Sequence, residues 1–139
     1  MSTILTLTSP AATDDGRALQ LLGIEQQGLT LAQVSQLQKR YALSDQELTG
    51  LMRVDMRTLQ RQRTAKARLS PKPTSSLLAA VKVLRYGEEV FADLDKLMRW
   101  MRRPQASLAQ QSPLALLAYS TGRQLVTDSL TRIDYGVFV

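Results

Sequence analysis

The chain has 139 residues, 44% of them apolar and 22% charged, with a net charge of +6. That is enough for one compact core or two small helical units, and it is too apolar for wholesale disorder. Histidine and cysteine are both absent, which excludes a disulfide framework, Ser-His-Asp or Cys-His catalysis and a conventional zinc site.

The seven glycines are isolated from one another, so there is no phosphate-cradling glycine loop. Leu77–Val81 is among the longest apolar runs, far short of the roughly 18 residues a membrane-spanning helix needs. Met1–Pro10 carries no basic residue and does not read as a signal peptide. The expectation is a non-enzymatic, cytoplasmic protein with no cofactor, no metal and no membrane contact. Carboxylate or lysine catalysis stays open in principle, but acidic residues such as Glu88-Glu89 and Asp93 with Asp95 read as helix starts or polar faces.

Residues 1–28 form an N-terminal arm. Ile4–Thr8 is strand-like, and a short helix is expected near Arg17–Leu22. Two readings of the arm stay open, a dimer contact and a loose extension. Its net charge is slightly negative, and residues 86–139 are balanced. The excess positive charge is concentrated in residues 53–72, where Arg53, Arg57, Arg61, Arg63, Lys66, Arg68 and Lys72 face Asp55 alone. A concentrated basic segment suits a polyphosphate partner, because each phosphate neutralised releases condensed counterions. A solvated helix face is the plainer alternative.

Local signals place this segment at the end of a three-helix unit, residues 29–70. Thr30 with Gln33 is a capping-box pattern opening a helix with Leu31, Val34, Leu37 and Tyr41 on one side. Ser44 with Glu47 opens a second, carrying Leu48, Leu51 and Met52. Arg53-Val54 is a short connection, and Asp55 is an N-cap for a third helix that directs Met56 and Leu59 toward the core. Two short helices joined by a tight turn behind a longer one describe a helix-turn-helix. In the third helix, Met56–Arg63, the residues Arg57, Gln60, Arg61 and Thr64 share an exposed face. Arg and Gln read guanine and adenine bidentately. The DNA-contacting candidates are therefore Arg53, Arg57, Thr58, Gln60 and Arg61, with Arg63, Lys66 and Arg68 meeting phosphates.

Pro71-Lys72-Pro73-Thr74 marks a break. Beyond it, residues 71–139 read as all-helical. Ser75 or Ser76 caps a helix holding Leu77, Leu78, Val81, Leu84, Val90 and Phe91. A second helix runs from about Asp93 through Leu94, Leu97, Met98, Trp100 and Met101, with Trp100 read as core. Ser112-Pro113 starts a short third, and Thr121-Gly122-Arg123-Gln124 is a capping box for a fourth, carrying Leu125, Val126, Leu130 and Ile133. Gly136 ends it as the left-handed residue past the helix. Val137-Phe138-Val139 is an apolar ending that either folds back or docks into a partner.

The order of these pieces resembles the MbcA/ParS/Xre antitoxin family over about residues 30–138. The resemblance rests on Val54–Arg61, Arg68-Leu69-Ser70, Trp100–Pro104, Ser112-Pro113-Leu114, Thr121-Gly122 and Ile133–Gly136. It implies a Cro-like helix-turn-helix followed by a small helical toxin-binding domain. It implies an operator-DNA partner and a RES-domain toxin that consumes NAD by hydrolysis or ADP-ribosyl transfer. The toxin's active site would be covered through Thr121, Gly122, Arg123, Tyr135, Val137, Phe138 and Val139. Leu108–Gln111 departs from the family in lacking a glycine. A homodimer is expected, because operators usually mirror a protein twofold. The competing readings are a stand-alone helix-turn-helix repressor, whose C-terminal helices dimerise or sense a ligand, and a pure protein-interaction module.

Overall fold

A computed structural model of the chain describes residues 3–10 and 15–136. Among these residues the fold is all-α. The helices are α1 (Thr3–Leu7), α2 (Asp15–Gln27), α3 (Leu31–Arg40), α4 (Asp45–Met52), α5 (Met56–Ala65), α6 (Pro71–Phe91), α7 (Leu94–Arg102), α8 (Pro113–Leu116) and α9 (Ser120–Asp134). One 3-10 turn spans Ala106–Leu108, and an isolated antiparallel bridge joins Gln105 to Gln111.

The capping chemistry accounts for the first half of this order. Thr30 Oγ1 accepts from the Gln33 amide at 3.1 Å, and the Gln33 side chain accepts from the Thr30 amide at 2.9 Å. Ser44 and Glu47 repeat the arrangement at 3.0 Å in both directions. Asp55 accepts from the Thr58 amide at 2.7 Å and starts α5. Each such cap satisfies donors that the first turn leaves unpaired and contributes about 1 kcal/mol. Leu37, Tyr41, Leu48, Leu51, Met52 and Leu59 then bury their apolar faces together.

Four expectations are corrected. Ile4–Thr8 is not a strand. Thr3–Leu7 is helical, and Ile4, Leu5 and Leu7 all enter the core. Thr8 ends the turn, its hydroxyl donating to the Ile4 carbonyl at 2.7 Å. β-propensity lost to packing, as it often does. Secondly, Met56 does not point inward. It sits at the first position of α5 and is 42% exposed, so Leu59 alone seats that helix.

Thirdly, α6 begins at Pro71, not at Ser75 or Ser76, with Ser70 before it in extended conformation. The first turn of a helix has no acceptors for its amides, so prolines at its first and third positions remove nothing. Thr74 is thereby carried inside the helix, where its buried hydroxyl accepts from the Leu29 amide at 3.1 Å. Finally, Thr121 caps nothing. The residue before α9 is Tyr119, with no side-chain capping bond.

The 21-residue α6 is the spine. It buries Thr74, Leu77, Leu78, Ala80, Val81, Val83, Leu84 and Gly87, and α2, α4, α7 and α9 pack around it. One hydrophobic cluster therefore runs from Ile4 to Leu130. Trp100 packs half-buried on that cluster, 5.6 Å from the ring of Phe91. Gly28 closes the turn into α3 at φ +92°, and a Cβ there would lie 1.9 Å from the Leu69 carbonyl oxygen, so only glycine fits.

Glu88 does not lie on a solvated face. Its side chain is 12% exposed and takes hydrogen bonds from Tyr41 (2.7 Å), Arg85 (3.1 Å) and Arg40. Arg85 also donates to the Leu5 carbonyl at 3.0 Å. This knot ties α1 and α3 to the spine. Burial, reinforced by the Glu88 carboxylate, pushes the Tyr41 phenol well above its ordinary pKa. It stays protonated as the donor.

Candidate DNA-contacting and toxin-binding surfaces

The basic residues expected to meet DNA fall into two groups. Arg57, Gln60, Arg61 and Thr64 are all exposed on α5, as their spacing predicts. Beside them the Asp55 carboxylate is held below its ordinary pKa, first by the Thr58 amide and also by the nearby Arg61 and Arg57 charges. Thr58 is half-buried, and its hydroxyl accepts from Arg61 at 3.4 Å. Lys66 follows the helix in left-handed conformation and is exposed.

The second group has partners within the protein. Arg63 forms a bidentate pair with Asp45 at 2.9 and 3.0 Å and donates to Gln38 at 3.3 Å. The hydrogen bond from Arg63, with one from Gln38, draws the Asp45 pKa down to about 2. This guanidinium braces α5 against α4 and is already engaged. Arg68 donates to the Gly28 carbonyl at 3.1 Å. Arg53, at φ +58° in the turn between α4 and α5, lays its guanidinium over the Tyr119 ring, 4.7 Å from the centroid. Tyr119 is a residue sequence reasoning missed. It is 66 positions from Arg53, and no local pattern connects the two.

The other candidate surface lies on α8, α9 and the loop before them. Gly122 is buried, and a Cβ there would lie 2.0 Å from the Leu116 carbonyl oxygen. The glycine lets α8 and α9 touch. Arg123 is half-buried and donates to the Leu117 carbonyl at 3.1 Å, so it fastens the same corner. Thr121 is exposed beside them, and Tyr135 is 78% exposed at the far end. Thirteen intervening residues place these two ends about 21 Å apart.

A continuous stripe joins them. Thr121, Leu125, Asp128, Arg132 and Tyr135 recur at helical spacing, and all five are exposed, with Leu125 at 45%. Of the two adjacent apolar residues that begin the run on this helix, Val126 is buried and Leu125 is not. Gly136 follows at φ +71°, as expected of a residue just past a helix. Val137, Phe138 and Val139 lie outside the described residues.

The loop that lacks a glycine is also explained in part. Ala109 and Gln110 are both left-handed, at φ 57° and 62°, a conformation that disfavours side chains. The backbone there has the shape a glycine would adopt without strain.

The two surfaces share a rigid frame. Arg102, at the end of α7, pairs with Glu47 (2.8 and 3.1 Å) and donates to the Tyr41 and Ala42 carbonyls (3.3 and 2.8 Å). Hydrogen bonding from Arg102 keeps the Glu47 pKa below its ordinary value. A cleft of about 400 Å³ lies between α4 and α8, lined by Gly50, Leu51, Leu114, Ala115 and Tyr119, among others. Among the described residues no helix is long and apolar enough to cross a membrane, and no acidic cluster could hold a metal ion.

Sequence comparison finds known proteins that are similar to this chain. Residues 87–136 match the family model of the antitoxin Xre/MbcA/ParS C-terminal toxin-binding domain. Similar proteins include an Antitoxin Xre of Yersinia enterocolitica, 33% identical over 86 residues, which is 61% of this chain and 58% of that one. An Antitoxin Xre of Photorhabdus laumondii is 23% identical over 118 residues, covering 84% of this chain and 80% of that one. The chain is thus similar to Xre/MbcA/ParS-type antitoxins, and it spans less than two thirds of the length of the Yersinia relative.

Proposed function

We propose that the protein is the antitoxin of a toxin–antitoxin pair and acts without catalysing a reaction. The observation that carries this reading is the match of residues 87–136 to a toxin-binding domain, which covers α7, α8 and α9. In this reading the toxin is a RES-domain enzyme that consumes NAD, as the family resemblance implies. It docks along Thr121, Leu125 and Tyr135, and Val137 to Val139 reach into its active site. Gly122 and Arg123 shape the α8–α9 corner that presents Thr121. Residues 71–139 serve the toxin, and residues 29–70 act as a helix-turn-helix.

The same protein represses its own operon in the cytoplasm as a homodimer on operator DNA. Arg57, Gln60 and Arg61 read bases, Arg53, Thr58 and Lys66 position the helix on phosphates, and Arg63 and Arg68 hold it in place. Support for this comes from the concentration of charge on α5 and from the exposure of its basic face.

Cell survival tests the toxin half. Co-expression with the toxin encoded beside it should restore growth, and deletion of Val137–Val139 should abolish that rescue while leaving operator binding intact. Full protection by the truncated chain would rule out the tail mechanism. Operator binding with no toxin gene nearby would favour the stand-alone repressor.

A further inference from the structure

The cleft between α4 and α8, about 400 Å³ in volume, is apolar where it is free to take an occupant. Its charged neighbours are already engaged. Glu47 pairs with Arg102 and accepts from the Ser44 amide. Ser112 accepts from the Ala115 amide at 3.3 Å as the cap of α8. The remaining lining is chiefly apolar: Leu51 and Leu114 are buried, with Gly50, Ala115, Ala118 and Tyr119 more exposed around them. A small ligand needs several convergent polar groups to orient it. A bulky apolar side chain needs only such a lining, as the anchors of protein interfaces do.

Gly50 adds a separate observation. It lies inside α4, where glycine is destabilising relative to alanine. Its backbone is not left-handed, and a Cβ built there would meet nothing within 4 Å. Neither conformation nor packing within the monomer requires the glycine. Its missing side chain leaves room on the α4 wall of the cleft.

The sequence match bears on the occupant. Arg102, Ser112, Leu114, Ala115, Ala118 and Tyr119 all fall within residues 87–136, which match a toxin-binding domain. Tyr119 lines the cleft while remaining 53% exposed, and it stands two positions from Thr121, where the toxin docks in the antitoxin reading. The facing wall, Gln46, Glu47, Gly50 and Leu51, belongs to α4 and lies outside the match. We propose that the toxin seats a bulky apolar side chain in this cleft, so that α4 forms part of the toxin-binding surface. This rests on the antitoxin reading and extends the toxin surface beyond residues 71–139.

Calorimetric titration of the full chain with the purified product of its adjacent gene tests this. Wild type should bind. Gly50→Trp and Ala115→Trp fill the cleft from opposite walls, and each should raise the dissociation constant at least about tenfold. Gly50→Ala leaves the cleft open, so its affinity should stay within about threefold of wild type while its melting temperature rises. Gly50→Trp should melt no lower than wild type, because tryptophan favours a helix more than glycine does. Ala115→Trp, on the other wall, decides the matter if Gly50→Trp unfolds. Wild-type affinity in the tryptophan variants, with binding lost in Leu125→Glu, would overturn the cleft proposal alone and leave the toxin on α9. Equal losses in Gly50→Ala and Gly50→Trp would also overturn it, since filled volume would then not be the cause. No binding by wild type would overturn the antitoxin reading and the cleft with it.

Discussion

Helices α5 and α9 are built alike and present opposite chemistry. Each is amphipathic and seated by few residues, Leu59 for α5 and Gly122, Val126, Ser129 and Leu130 for α9. The outward stripe of α5 is Arg57, Gln60, Arg61 and Thr64, which is cationic and polar. That of α9 is Thr121, Leu125, Asp128, Arg132 and Tyr135, with balanced charge and apolar contact area at Leu125 and Tyr135. The first stripe suits a polyanion and the second a protein surface. The two anchors are independent of the stripes, so each activity should be removable without the other.

The largest effect is expected where an anchor itself fails. Gly122→Ala places a methyl on the Leu116 carbonyl, forcing α8 and α9 apart. We expect a loss above about 3 kcal/mol in denaturant unfolding, together with loss of toxin capture. A variant that unfolds like wild type would show that the corner can yield.

Next come the residues proposed to read bases. Arg57→Ala and Arg61→Ala should each weaken operator binding by roughly 1–3 kcal/mol and relax sequence preference, with unfolding and toxin capture unchanged. Lys66→Ala should instead weaken all sequences alike and reduce the salt dependence. Gel-shift or fluorescence titration at two salt concentrations measures both.

A smaller effect tests the link between the surfaces. Tyr119→Ala should lower DNA affinity by about 0.5–1 kcal/mol by releasing Arg53, and Tyr119→Phe should retain most of it, since the ring face carries the attraction. Smallest is the acid response of the Arg63–Asp45 brace. The folded Asp45 pKa is depressed to about 2 by Arg63 and Gln38. Its stabilisation is therefore complete above the ordinary carboxylate value of about 4 and is lost as pH falls toward 2. Acid titration of Arg63→Ala should lack that component, and the pair's exposure keeps the difference small at neutral pH.

What the sequence revealed was governed by distance along the chain. The starts of α3, α4 and α5 were legible because Thr30 with Gln33, Ser44 with Glu47 and Asp55 with Thr58 act within one turn. The exposed face of α5 was legible for the same reason. The start of α9 misled because Thr121-Gly122-Arg123-Gln124 imitates a capping box, while close packing on Leu116 sets the boundary. Arg63 was read as a phosphate contact because Asp45, eighteen positions earlier, gives no local sign of pairing with it. The bonds from Arg40 and Tyr41 to Glu88 and the Arg53–Tyr119 stack lie between residues more than forty positions apart, and only the fold brings them together. On the proposed toxin-binding face, Thr121 and Tyr135 came from family resemblance, whereas Leu125 emerged only once its exposure was seen.

The central claim is that the C-terminal corner holds a toxin. Co-expression of the tagged chain with the product of its adjacent gene, followed by affinity purification and size-exclusion chromatography, measures this most directly. The account predicts a stable complex that persists with Arg57→Ala and Arg61→Ala and is lost with Leu125→Glu. Two soluble proteins that elute separately, or a complex lost with the arginine variants and retained with Leu125→Glu, would contradict it.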